Sequence, residues 1–119
     1  MLSTALDIAQ SGLAAEARRV QVAASNIANA STEGYVPQRV EQTTSGDSGG
    51  VRVAVRPVAS DSLYAADVGV DLLQETTTLL HANAAYQANL AVIETVGEMF
   101  DSLLEAIDPD RDDRDRRDD

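Results

Sequence analysis

The sequence predicts a mainly α fold: long N- and C-terminal amphipathic helices pairing as an antiparallel coiled coil, with a small β-hairpin between them. Three observations lead there. Thr76, Leu79, Asn83, Tyr86, Leu90, Ile93, Gly97, Phe100, Leu104 and Ile107 keep an unbroken alternation of three- and four-residue steps, the seam of a helix packed lengthwise on another. Leu2, Leu6, Ala9, Leu13, Val20, Ala23 and Ile27 follow similar spacing near the N-terminus. Between these regions Val51, Val53 and Val55 alternate with Arg52, Ala54 and Arg56, the two-residue period of a half-buried strand.

The first helix is expected over residues 4–30, within an N-terminal unit of 1–34. Ser3 or Thr4 would cap it, and Thr4-x-x-Asp7 has the form of a capping box with Asp in place of Glu. Glu16 interrupts the apolar seam. The turn-forming run Asn29-Ala30-Ser31-Thr32-Glu33-Gly34 ends the helix.

Residues 35–70 form the hairpin and connector. Strands are expected over 35–44 and 51–58, joined by the tip Ser45-Gly46-Asp47-Ser48-Gly49-Gly50. Two strands alone are marginally stable, so the hairpin must rest on a helix or another subunit. Residues 57–70, with Pro57, Ser60, Asp61, Ser62 and Gly69, read as a connector. The second helix is expected over 71–107, begun by an Asp71 cap and stopped before Pro109. Residues 108–119 hold seven Asp, four Arg and one Pro, a composition that reads as a disordered acidic tail.

Composition narrows the function. Apolar residues make up 44% of the 119, but Phe, Tyr and Trp together only 3%. That balance suits close helix–helix packing better than a self-sufficient core, since each large buried side chain contributes about 1.5–3 kcal/mol. With 20 acids against 9 bases the net charge is −11, which disfavours nonspecific nucleic-acid binding and anionic membranes. There is no cysteine, so no disulfide or thiolate metal site. No uninterrupted apolar stretch is long enough to span a membrane. The opening Met1-Leu2-Ser3 lacks the basic and apolar blocks of a cleavable secretory signal.

No catalytic, cofactor or metal site is expected. Gly46-Asp47-Ser48-Gly49-Gly50 matches the peptide around a serine-protease nucleophile, but that chemistry needs an oriented His. The single histidine, His81, lies downstream, and its helical neighbours Thr77, Thr78, Ala84 and Ala85 are not metal ligands. Glu94, Glu98, Asp101 and Glu105 share a helix face off the apolar seam and read as a solvated stripe. Asn29-Ala30-Ser31 fits a glycosylation pattern that the missing secretory signal discounts. Asn83 on the seam could fix register or face water. Gly12 and Gly97 each cost a helix about 1 kcal/mol relative to Ala, a loss that close approach of another helix would offset.

Ser11-Gly12-Leu13-Ala14-Ala15, continued by Val20 to Tyr35, resembles the N-terminal signature of bacterial flagellar rod and hook proteins. That signature runs from a Ser-Gly-Leu helix to the turn Asn-x-Ala-Asn-x-x-Thr-x-Gly-Tyr, here Asn26, Ala28, Asn29, Thr32, Gly34 and Tyr35. Val70 to Glu75 and Ala85 to Leu104, including Ala85-Tyr86-Gln87-Ala88-Asn89, resemble the family's C-terminal segment. Gly69 stands where the family has Asn. The short chain is most like the small proximal rod members.

The resemblance implies a structural subunit of the basal-body rod, polymerising through its terminal helices into the drive shaft. Its partners would be copies of itself, other rod proteins and the type III export apparatus. Its location would be periplasmic, reached without a cleaved signal. Leu6, Leu13, Val20 and Ile27 are expected to meet Leu79, Asn83, Tyr86, Leu90, Ile93, Gly97, Phe100 and Leu104 within and between subunits, while the Asn26–Tyr35 turn and hairpin make further contacts. The competing reading is a soluble coiled-coil adaptor or regulator that binds one partner helix.

Overall fold

The computed structural model describes residues 1–46, 49–58 and 69–107. The order is α1 (Leu2–Ala28), β1 (Gln38–Thr44), β2 (Val51–Pro57) and α2 (Leu72–Ile107). The tail lies outside the described residues, as does most of the connector.

Helix α1 starts earlier than the capping pattern suggested. Ser3 and Thr4 are already helical, Met1 is the cap residue and no side chain caps the end. The Ala5 amide bonds the Met1 carbonyl at 3.1 Å, so the backbone closes the first turn without Thr4. Helix α2 begins as expected: Asp71 Oδ1 accepts from the amides of Leu73 (3.0 Å) and Gln74 (3.1 Å). These are two of the donors that a helix start leaves unpaired.

Two contacts set the helices antiparallel. Gly12 of α1 abuts Asn89 of α2, and Asn26 bonds Glu75. A step of fourteen residues forward on one helix matches fourteen back on the other. Continuing that register brings Met1 beside Phe100, so the last turns of α2 run past the start of α1. Gly12 permits the approach: a Cβ there would fall 2.7 Å from both terminal atoms of the Asn89 amide.

The buried apolar residues are small. They are Ala9, Ala15, Val22 and Ala23 of α1 and Ala82 and Val96 of α2. Among the described residues no Leu, Ile, Met, Phe or Tyr is buried. The chain is elongated, 71 × 35 × 19 Å, with a radius of gyration of 21.2 Å. A compact chain of this length would have about 13 Å.

The antiparallel hairpin pairs Val40 with Val55 and Gln42 with Val53 on one face, and Arg39 with Arg56 and Thr43 with Arg52 on the other. The first face rests on α1, where Gln42 Nε2 donates to Glu16 Oε1 at 3.1 Å. At the tip, Ser11 Oγ accepts from the Val51 amide at 3.0 Å and donates to the Ile8 carbonyl at 2.7 Å. Gly50 lies over Ser11 with φ +87°, and a Cβ on it would stand 2.7 Å from Ser11 Oγ. Backbone handedness and lack of room both require glycine there.

Candidate functional site

Asn26 is the junction of the molecule. It is fully buried. Its Nδ2 donates to the Gln38 carbonyl (2.7 Å) and to Glu75 Oε1 (2.8 Å). Its Oδ1 accepts from Tyr35 Oη–H (2.8 Å) and from the Gln38 amide (2.9 Å). All four hydrogen-bonding valences of the amide are filled, and its partners come from the loop, β1 and α2. Burying an amide is costly unless it is satisfied, and this arrangement of the three partners satisfies it.

The rest of the turn motif forms a ladder leading to that junction. Asn29 is the α1 cap residue, and its Nδ2 donates to the Ser25 carbonyl at 2.9 Å. Thr32 bonds Asn29 twice: its amide reaches the Asn29 carbonyl at 2.9 Å and its Oγ1 reaches Oδ1 at 3.3 Å. The Tyr35 amide bonds the Thr32 carbonyl at 3.2 Å. Gly34 takes φ +75°, a left-handed turn that swings Tyr35 back so that its hydroxyl meets Asn26. Asn26, Asn29, Thr32, Gly34 and Tyr35 therefore act as one structural unit.

Glu16 was read from sequence as a break in the seam. It is buried, with Oε1 bonded to Gln42 and Oε2 3.3 Å from Arg19 Nη1. That second approach lacks hydrogen-bond geometry, leaving Oε2 without a partner. The sequence signal was present: Arg19 follows Glu16 by one helical turn. Beside it an open cleft of about 550 Å³ lies between α1, β1 and the start of α2, with Arg19, Gln38, Arg39, Glu75 and His81 on its walls. Among the described residues no group of three or more His, Asp or Glu could hold a metal ion.

Within the chain the helices meet along a line that keeps Ala9 and Ala23 of the expected seam and otherwise runs beside it. On α1 it runs through Ala9, Gly12, Glu16, Ala23 and Asn26, and on α2 through Glu75, Thr78, Ala82, Ala85, Asn89 and Val96. The large residues lie one position further along each helix, about 100° around it. Antiparallel helices turn in opposite senses viewed from one end, so this offset carries both sets to the same side of the pair. One position back lies the hairpin side, with Ile8 and Ser11 under the tip glycines. The large residues therefore share the face that the hairpin leaves open.

On that face Leu6, Leu13, Ile27, Leu79 and Ile93 are half-buried, while Val20, Asn83, Tyr86, Leu90 and Gly97 are exposed. Phe100 and Leu104 continue the stripe beyond α1 and are exposed too. Asn83 faces water and accepts from Gln87 Nε2 at 2.7 Å. Among the described residues nothing comes within 4 Å of a Cβ built on Gly97, so none of them uses close approach at Gly97. Periodicity favoured the large residues because they dominate the pattern. The intrachain line was harder to read because it is built from Ala, Gly and polar residues.

Comparison with known proteins supplies the family. Residues 6–35 match the family model described as flagella basal body rod protein, and residues 64–106 match that of the flagellar basal body rod FlgEFG protein C-terminal. The flagellar basal-body rod protein FlgC of Salmonella typhimurium (strain LT2) is 33% identical over 120 residues, spanning 79% of this chain and 89% of the relative. Proteins of the same name from Escherichia coli O157:H7 and Yersinia enterocolitica are each 32% identical over the same shares. The chain belongs to the flagellar basal-body rod protein family, as a FlgC-like structural protein of the basal body.

Proposed function

We propose that this chain is a proximal-rod subunit that polymerises through the open apolar face of its helix pair into the flagellar drive shaft. One observation carries this reading: the buried side chains are small, while Tyr86, Leu90, Phe100 and Leu104 of α2 are exposed along the open face, with Val20 of α1 beside them. Exposed apolar residues in a continuous stripe mark an interaction surface. Covering one large side chain contributes about 1.5–3 kcal/mol, so the main apolar gain comes on assembly. The Asn26 junction holds α1, hairpin and α2 in the geometry that presents the face.

Its partners on this reading are its own copies and other rod proteins. Delivery uses the type III export apparatus, ending in the periplasm without signal cleavage. The family match weighs against the adaptor alternative, which would bind one helix and stop. The test is to delete the gene and to examine basal bodies purified from cells carrying a tagged copy. The tagged chain should be present in the rod, and its deletion should stop rod growth. Complete rods in the deletion strain, or basal bodies lacking the chain, would overturn the reading.

A further inference from the structure

The hairpin face opposite the one resting on α1 carries Arg39, Glu41, Thr43, Arg52, Ala54 and Arg56, with Arg39 also on the wall of the cleft beside α2. Three of the five arginines that precede residue 108 are gathered there, in a chain whose net charge is −11. Arg39 stands directly opposite Arg56. Like charges so paired destabilise a sheet, so the fold gains nothing from the arrangement. Arg56 is partly relieved by Glu41, whose Oε2 lies 2.7 Å from its Nε, but both side chains are more than half exposed, and such pairs contribute little. Arg39 and Arg52 have no ion-pair partner among the described residues.

We propose that this basic sheet face binds the α2 helix of a second copy of the chain, along the row Glu94, Glu98, Asp101 and Glu105. The inference rests on the rod reading and assigns a second contact to it, apart from the apolar face. The spans agree. The row covers eleven residues of helix, about 16 Å at 1.5 Å per residue. The Arg39 and Arg52 levels of the hairpin are four residues apart, about 13 Å at 3.3 Å per residue.

The fold also excludes pairing within one chain. Glu98 lies two residues past the buried Val96, about 200° around the helix, so the row points away from α1. The hairpin rests on α1. All four carboxylates are exposed, and none is in an ion pair among the described residues. Row and hairpin can meet only between copies. Because the two surfaces point to different sides of the molecule, one contact leaves a free row and a free hairpin at its ends, and the contact propagates head-to-tail into a ring or an open helix.

The chain has no cysteine, which makes disulfide trapping selective. In basal bodies whose only copy is Arg52→Cys/Asp101→Cys, oxidation should give a ladder of cross-linked multimers. Arg39→Cys/Glu94→Cys is a second pair in the same register, since Glu94 and Asp101 stand about 10 Å apart on the helix, and each single variant should give no ladder. Basal bodies that contain the chain but yield no ladder from either pair overturn the proposal and leave the rod reading intact. Basal bodies lacking even the unmodified chain overturn both. If the cysteine variants do not enter the rod, charge reversal decides. Arg39→Glu/Arg52→Glu should cut the copies per basal body at least about tenfold, since facing like charges cost several kcal/mol. Adding Glu94→Arg/Asp101→Arg should restore them, and failure of that restoration overturns the proposal.

Discussion

Replacing Asn26 by alanine should be the most damaging single polar truncation in the chain. Asn26→Ala removes four hydrogen bonds, to Tyr35, to both backbone groups of Gln38 and to Glu75. At about 1 kcal/mol net for each, the ceiling is about 4 kcal/mol. Water can reach some of the part-buried partners, so the expected loss is about 2–4 kcal/mol. Against a typical domain stability of about 5–15 kcal/mol, that is a large fraction, and it lowers the melting midpoint by about 10 °C or more. Urea and thermal unfolding followed by far-UV circular dichroism would measure it. Asn29→Ala is the internal control, because its one side-chain donor bond, to Ser25, is exposed, and its cost should be about 0.5 kcal/mol. A loss at Asn26 no greater than at Asn29 would refute the idea that the junction holds the three elements together. Asn26→Asp should be worse than alanine at neutral pH, because it places a carboxylate where Nδ2 now meets Glu75 at 2.8 Å.

The two helix glycines should respond in opposite directions. Gly97→Ala meets no neighbour among the described residues and gains helix propensity, stabilising the isolated chain by about 0.5–1 kcal/mol; reduced motility despite that gain would locate a subunit contact at Gly97. Gly12→Ala drives a methyl into the Asn89 amide and should destabilise in spite of the propensity gain, with Asn89→Ala restoring most of the loss in a double-mutant cycle. Deleting residues 111–119 should leave export and motility intact, as swimming assays and secretion blots would record. Loss of export would assign the tail an active role.

Much of the architecture was legible in the sequence. Heptad spacing gave both helices, Asp71 marked the start of α2, and the alternating valines gave β2. The stretch from Gly46 to Gly50 separated the strands. The side on which the helices meet was less legible. Leu13 and Leu90 are conspicuous, but the contact is decided by what allows two backbones to approach: Gly12, Ala23, Ala82 and the Asn89 amide. Small residues carry little hydrophobic signal even when they govern distance. The Asn26 junction was half-legible. The resemblance pointed to Asn26, Asn29, Thr32, Gly34 and Tyr35 as a turn, but the bond from Asn26 to Glu75 spans 49 positions and leaves no local trace. Glu16 does interrupt the apolar seam, but its burial rests on Gln42, which arrives from the hairpin and leaves no local trace.

The central claim is that the face bearing Leu13, Tyr86 and Leu90 is made for other subunits. Leu90 is 38% exposed, so an aspartate there reaches solvent in the single chain, and the lost partial burial and helix propensity should cost the fold about 1–2 kcal/mol. In an assembled rod the same carboxylate would be buried without a partner, a penalty of several kcal/mol at every interface. The decisive measurement is the amount of Leu90→Asp chain in purified basal bodies, read beside the circular dichroism of the isolated variant. The account predicts unchanged helix content, no variant in the rod and no swimming. Normal incorporation of a folded Leu90→Asp chain would contradict it.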